Sequence, residues 1–433
     1  MADDGLQAVV SIAGQRSFKG ELSVPGDKSI SHRALLISAL SSGASTIRGL
    51  SIGKDVQATK AAIIQLGAKV SARADQLIVE GGPDILRHPA GVINVGNSGT
   101  LIRLAAGMTA GLGGRYTFSG DESVNSRPMK RIFAPLMQMG AEIEASNNGE
   151  TAPFTLHSHG LHGIRYEMPV ASAQVKSSIL LAGLGATGIT TVVEKIPTRR
   201  HSEEMLLEAG AQLEVVQLAN QTEISIERSH LKPINYDIPG DPSQAAFWLV
   251  AALILPDSEV TVRNIYLGDL RSDFLTVLRR MGADLTINYI SNNSGDVSAR
   301  SSQLNSTTIS PDEIPGLIDE IPIISVAAAH ASGTTVITGA TELRVKESDR
   351  ITVMAAALRS FGVEIKELPD GMEITGGGHL RHGTVSAHLD HRIAMSSSVM
   401  AATVEGVTEI NGFDSVESSY PDFLAHFEQL TNH

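Results

Sequence analysis

The sequence predicts an α/β fold of α+β layers built from a repeated unit, and three observations carry that reading. Glycines that follow helix-like runs recur at Gly67, Gly140, Gly210, Gly282 and Gly362, at intervals of 73, 70, 72 and 80 residues. Each glycine leads into a strand-like stretch, as in Ala68-Lys69-Val70 and Ala141-Glu142-Ile143. Each interval also holds an Ala-rich apolar run followed by β-branched residues. Six units of about 72 residues fill the chain of 433 residues.

Within a unit the elements follow in order. An apolar helix comes first, as in Ala34–Leu40, Ile179–Leu184, Ala245–Leu255 and Ile393–Ala402. A small-residue turn and a β-branched strand follow, as in Gly43–Ile47, Gly188–Val192, Gly333–Ile337 and Gly406–Ile410. A polar loop, a second helix, its glycine cap and a hairpin complete the unit. Helices and strands alternating at this spacing predict layers rather than a bundle or a sandwich.

Composition narrows the function. Hydrophobic residues make up 42% and charged residues 19%, which is globular. The absence of cysteine excludes disulfides, thiolate metal sites and thiol nucleophiles. Net charge is −13, from 34 Lys+Arg against 47 Asp+Glu, and aromatics are 4%. A general nucleic-acid or anionic-membrane surface is therefore not expected, and an anionic ligand would need cations concentrated locally. The acidic start lacks the basic region of a signal peptide, and the apolar run Ala245–Leu255 is too short to span a bilayer. A soluble, cytoplasmic protein is expected.

The six junctions before the apolar helices are rich in capping residues. They are Pro25–Ser29, Gly96–Thr100, Ala171–Gln174, Gly240–Gln244, Ile318–Pro322 and Leu389–Arg392. Singly, each reads as a helix cap. Together they offer several helix N-termini, which attract anions, and packing about a common axis would let them converge. Cations gather near them. Lys28 and Arg33 lie at the first, with Ser29 and Arg33 one turn apart on one face; Arg103 lies one turn after Thr100. Arg127 sits in a polar loop, and Arg199, Arg200 and His201 occupy the equivalent loop of the next unit. In Leu343–Arg350, a helix would place Glu347 and Arg350, and Lys346 and Arg350, on one face.

Other candidates fail. No segment fits a phosphate-binding P-loop, and Gly111–Gly114 precedes a strand, unlike a dinucleotide fingerprint. His157, His159 and His162 have ligand-like spacing, but a hairpin setting without a nearby carboxylate favours surface histidines. Gly376–Gly378 reads as a turn.

The segment Leu22–Arg33, with its Pro25-Gly26-Asp27-Lys28-Ser29 core, resembles the N-terminal signature of the 5-enolpyruvylshikimate-3-phosphate synthase family. Gly96–Thr100 with Arg103, Arg344–Arg350 and Asp390–Met395 resemble three further signatures, in order along nearly the whole chain. The resemblance implies a two-lobed enolpyruvyl transferase-like fold of six βαβαββ units, three per lobe. Residues 22–239 would form one lobe, and 1–21 with 240–433 the other, joined by two chain crossings. The site would lie in the cleft between them, which closes on substrate.

The implied reaction moves the enolpyruvyl group of phosphoenolpyruvate to the 5-hydroxyl of shikimate 3-phosphate and releases phosphate. No metal or organic cofactor is implied, and the protein is expected to act as a monomer. By resemblance, Lys28, Arg127 and Gln174 hold the phosphate of phosphoenolpyruvate, Arg350 and Arg392 grip its carboxylate, and Gly99 gives close backbone approach. Lys28, Ser29, Arg33, Ser172, Ala173, Gln174, Arg199, Asp319 and Lys346 surround shikimate 3-phosphate. Asp319 and Glu347 are the acid/base candidates, with Lys28 competing for one proton transfer and His391 behind them. Ala173, Arg199 and Ser419, the last where many members carry Lys, look like the family's second class. Gly99 is the position where some members insensitive to glyphosate carry Ala.

Two alternatives are weighed. The sister enzyme acting on UDP-N-acetylglucosamine usually uses a loop cysteine, which this chain lacks. A non-catalytic repeat scaffold would spread its cations along exposed helix faces rather than gather them at junctions.

Overall fold

The computed structural model describes residues 8–432; the acidic first seven residues, on which the signal-peptide reading rests, and His433 lie outside it. The chain forms two compact units, one of Gly26–Ile238 and one of the segments up to Pro25 and from Pro239 onward. Each unit contains three small sheets.

One order recurs in these sheets. A short edge strand pairs parallel to a β-branched central strand, and a hairpin continues the sheet antiparallel. In the unit 26–238 the central strands are Gly43–Arg48, Gly114–Ser119 and Thr190–Glu194. Their parallel edge partners are Asn235–Asp237, Ile93–Asn94 and Arg165–Glu167 respectively. Each edge strand follows the hairpin of the preceding repeat, so every repeat lends a strand to the next sheet. Asn235–Asp237 lends to the first, with Tyr236 opposite Ile47, and closes the cycle.

The other unit repeats this arrangement on Glu259–Tyr266, Thr334–Ile337 and Val407–Asn411. Its third sheet has three strands among the described residues, and Val9–Ala13 supplies the antiparallel partner. The sixth repeat is therefore completed by residues from the other end of the chain.

The apolar helices form the two cores. Pro242–Ile254, Ile321–His330 and His391–Ala401 are buried on nearly every face and pack against one another. Helices apolar all round are expected only in such central positions. In the unit 26–238, Gly99–Leu112 packs against both Lys28–Leu40 and Ala173–Gly183. Its contact with the latter is close: a Cβ on Gly107 would stand 2.0 Å from the Ser178 carbonyl oxygen.

Second helices such as Lys54–Gln65 and Asp273–Arg280 end before Gly67 and Gly282. The five periodic glycines have φ between 82° and 107°, a region costly for residues with a Cβ. No helix among the described residues is long and apolar enough to cross a membrane.

Candidate functional site

The candidate site residues lie at and around the helix junctions. Asp27, Ser98, Ser172, Asp241 and Asp390 each accept a hydrogen bond from a backbone N–H of the helix they open. The Ile318–Pro322 junction differs. The helix Ile321–His330 starts with Pro322 in its first turn, and its preceding residue Glu320 makes no side-chain cap bond. The Asp319 carboxylate, one residue earlier, faces the cations Arg350 and Arg392.

In the unit 26–238, one cluster surrounds the start of Gly99–Leu112. Arg103 Nη1 donates to Gln174 Oε1 at 2.5 Å, and Gln174 Nε2 donates to Thr100 Oγ1 at 3.0 Å. Both ends of the Gln174 amide are thus held. Arg127 Nη2 donates to Asn97 Oδ1 at 2.7 Å and to Ser123 Oγ at 3.0 Å. A Cβ on Gly99 would lie 2.8 Å from Arg127 Nη1 and 3.5 Å from Arg103 Nη1, so both guanidinium groups border this helix start. Two cations beside a helix N-terminus suit a multiply charged anion.

Lys28 opens its helix and pairs with Asp55 at 3.1 Å. Ser29 follows it, and its carbonyl accepts from Arg33 Nη1 at 3.0 Å. Arg33 is buried and also donates to Ser202 and Ser177, each at 2.7 Å. Ser172, Ala173 and Gln174 are half-buried at the start of Ala173–Gly183, and Arg199 is half-buried in the loop before His201–Glu208.

The other unit holds a dense ionic cluster. Arg350 is 2% exposed and donates through Nε to Asp390 Oδ2 at 2.8 Å and through Nη2 to Glu347 Oε2 at 2.6 Å. Its Nη1 lies 3.6 Å from Asp319 Oδ1, and Arg392 Nε lies 3.7 Å from the same oxygen. Arg392 Nη1 also donates to the Asp319 carbonyl at 2.9 Å. Burial opposes the Arg350 charge, but Asp390, Glu347 and Asp319 outweigh it and hold the guanidinium firmly protonated. Lys346 is pulled down to about 8, chiefly by burial and further by Arg350; Asp319, Glu347 and Glu342 act the other way. His391 is buried beside Arg392.

Two sequence expectations change. Glu347 and Arg350 do meet, but not along one helix: Thr341–Val345 is a 3-10 turn, and Arg350 opens the helix capped by Asp349. Lys346 and Glu347 thus come from the intervening loop. The histidines do have a carboxylate near: Glu142 Oε2 lies 3.9 Å from His157 Nδ1, because their strands pair in register. His157 and His159 meet edge to face with ring centroids 4.0 Å apart, yet no group of three or more potential metal-ligating side chains occurs among the described residues.

Arg271 and Glu320 were missed. Arg271 is buried, donates to Asp241 Oδ1 at 2.7 Å and to Ser243 Oγ at 2.9 Å, and lies 3.6 Å from Glu320 Oε1. Ser243 Oγ also donates to Glu320. The repeat held the signal: Arg127, Arg199 and Arg271 lie 72 residues apart. Asp55, the partner of Lys28, lies a further 72 residues before Arg127.

Comparison with known proteins places this geometry. The model of the family described as EPSP synthase (3-phosphoshikimate 1-carboxyvinyltransferase) matches residues 12–427. The 3-phosphoshikimate 1-carboxyvinyltransferase of Synechococcus elongatus is 47% identical over 423 residues, covering 95% of this chain and 94% of that protein. That of Herpetosiphon aurantiacus is 42% identical, covering 97% of this chain and 99% of its own. The solved EPSP synthase from Acinetobacter baumannii superposes with a TM-score of 0.85 at 37% identity, covering 98% of both chains. Repeat architecture, ordered motifs and full-length similarity agree: the chain belongs to the EPSP synthase family.

Proposed function

We infer that this protein transfers the enolpyruvyl group of phosphoenolpyruvate to the 5-hydroxyl of shikimate 3-phosphate, releasing inorganic phosphate in the route to aromatic amino acids. The observation that carries this reading is the Asp319–Glu347–Arg350–Arg392 cluster, in a chain similar end to end to 3-phosphoshikimate 1-carboxyvinyltransferases. It combines a pair of guanidinium groups suited to a carboxylate with two partly exposed carboxylates suited to moving protons.

The reaction is an addition followed by an elimination. The 5-hydroxyl oxygen bonds to carbon 2 of phosphoenolpyruvate while carbon 3 gains a proton. The tetrahedral adduct then loses a carbon-3 proton as the C–O bond to phosphate breaks. Asp319 takes the hydroxyl proton, with Lys346 near it in charge. Glu347 gives and retakes the carbon-3 proton, a role for which Lys28 competes.

Lys28, Arg127 and Gln174 bind the phosphate of phosphoenolpyruvate, and Gly99 leaves the helix start open to it. Arg350 and Arg392 take its carboxylate, displacing part of their contact with Asp319. Ser29, Arg33, Ser172, Ala173, Gln174 and Arg199, with Lys28, Asp319 and Lys346, hold shikimate 3-phosphate. The two substrates bring several negative charges, since each phosphate monoester carries about −1.5 to −2 near neutral pH. That accounts for local cations in an acidic chain.

The test is phosphate release from phosphoenolpyruvate, with and without shikimate 3-phosphate. Release is expected only with that acceptor; release with UDP-N-acetylglucosamine, or with neither, would overturn the reading. Asp319→Asn is expected to bind both substrates yet turn over roughly 10²–10⁴-fold more slowly, the usual contribution of an acid/base group. Lost binding with unchanged turnover would make Asp319 a recognition residue instead.

A further inference from the structure

Lys176 lies in the helix Ala173–Gly183, within one turn of Ser172, Ala173 and Gln174, which are proposed to hold shikimate 3-phosphate. Its side chain is wholly buried. The ammonium lies 3.0 Å from Glu194 Oε2 and 2.5 Å from Glu203 Oε1, and donates to the Thr198 carbonyl at 3.3 Å. Three N–H donors thus meet three acceptors.

The acceptors share a location. Glu194 ends the strand Thr190–Glu194, and Glu203 sits in the first turn of His201–Glu208. Thr198 immediately precedes Arg199, and its hydroxyl donates to Glu194. The connecting loop is therefore tied to one ammonium at both ends and directly before Arg199. Lys195, Ile196 and Pro197 are exposed and bring the loop no core packing.

A second buried cluster joins the same two helices. Ser177 and Ser202 hydroxyls lie 2.6 Å apart, and Arg33 donates to both. Burying three charged groups costs desolvation that their attraction barely repays, so such a cluster is a weak source of stability. What it supplies is registry, holding an otherwise exposed loop at a set height on the helix.

We propose that Lys176 is a positioning residue that sets Arg199 for shikimate 3-phosphate, through its ties to Glu194, Thr198 and Glu203. The proposal rests on the reading of Arg199 as a ligand of that substrate. It predicts a split in the kinetics, because Lys176 ties down the loop that carries Arg199, whereas Lys28, Arg127, Arg350 and Arg392 belong to other elements and Gln174, on the same helix, is held separately by Arg103 and Thr100.

Lys176→Met, Arg199→Ala and the double variant test it in the full chain, with folding checked by circular dichroism and melting. In folded Lys176→Met, KM for shikimate 3-phosphate is expected to rise about tenfold, the scale of one lost polar contact, while KM for phosphoenolpyruvate stays within about twofold. The double variant is expected to be no worse than Arg199→Ala alone, since both changes remove one interaction. Unchanged KM for shikimate 3-phosphate in folded Lys176→Met, or additive losses in the double variant, would overturn the proposal. Should Lys176→Met not fold, Glu203→Met, which leaves the Lys176–Glu194 pair neutral, carries the same two expectations and the same failures. If Arg199→Ala itself leaves KM unchanged, the assignment of Arg199 is wrong, and the positioning role falls with it.

Discussion

At the scale of single residues, Lys346 links charge to pH in two opposed ways. Its ammonium lies in the field of Asp319, Glu347, Glu342 and Arg350, with a pKa lowered from 10.5 to about 8. As pH rises through about 8 it loses the charge proposed to attract shikimate 3-phosphate. KM for that substrate should therefore climb on the alkaline side, and Lys346→Arg, which stays charged, should flatten the climb. Stability moves the other way. The unfolded chain holds this proton more tightly, so the cost of burying the charge is fully present below pH 8 and is relieved between about 8 and 10.5. Denaturant titrations across that window should show Lys346 adding stability as pH rises. Residue types and motif order made the members of the proposed site legible in the sequence. Partners were not legible: Lys176 and Glu203 are 27 positions apart and share no local pattern.

At the scale of elements, glycine spacing has two uses that the sequence does not distinguish. Gly67 and its four counterparts terminate helices, and their period exposed the repeat. Gly107 sits inside a helix, where glycine costs about 1 kcal/mol relative to alanine, and its reason appears only in the packing. There the backbone of Ala173–Gly183 passes too close for a Cβ. Gly107→Ala is expected to lose about 1–3 kcal/mol, the usual cost of overpacking, seen as a lower denaturant midpoint. Gly91→Ala, where a Cβ would meet nothing within 4 Å, should leave the midpoint unchanged. Strand pairing was less legible than helices. Edge strands such as Ile93–Asn94 are two residues long, too short to show a period. The junction whose preceding residue makes no side-chain cap bond is not legible either, because nothing in the local sequence marks Glu320 as turned toward Arg271.

At the scale of the whole molecule, the period of about 72 residues announced six units, but not how strands are shared among them. The segment from Gly26 to Ile238 contains every strand of its own three sheets. Its two extremities also meet. Ile238 N donates to the Arg48 carbonyl at 3.0 Å, and Gly26 packs so tightly on Gly49 that a Cβ would lie 1.7 Å from that carbonyl oxygen. Such a segment is a cassette, removable without cutting a hydrogen-bond ladder. Expressed alone, residues 26–238 should melt in one cooperative transition, whereas a version stopping at Ile234 should lose the partner of Gly43–Arg48 and melt lower or not cooperatively. The remaining segments gain no such independence, because Lys19–Leu22 and Val9–Ala13 must find strands more than two hundred residues away. During synthesis the inner cassette can finish while its host still waits for the far end of its own sheet.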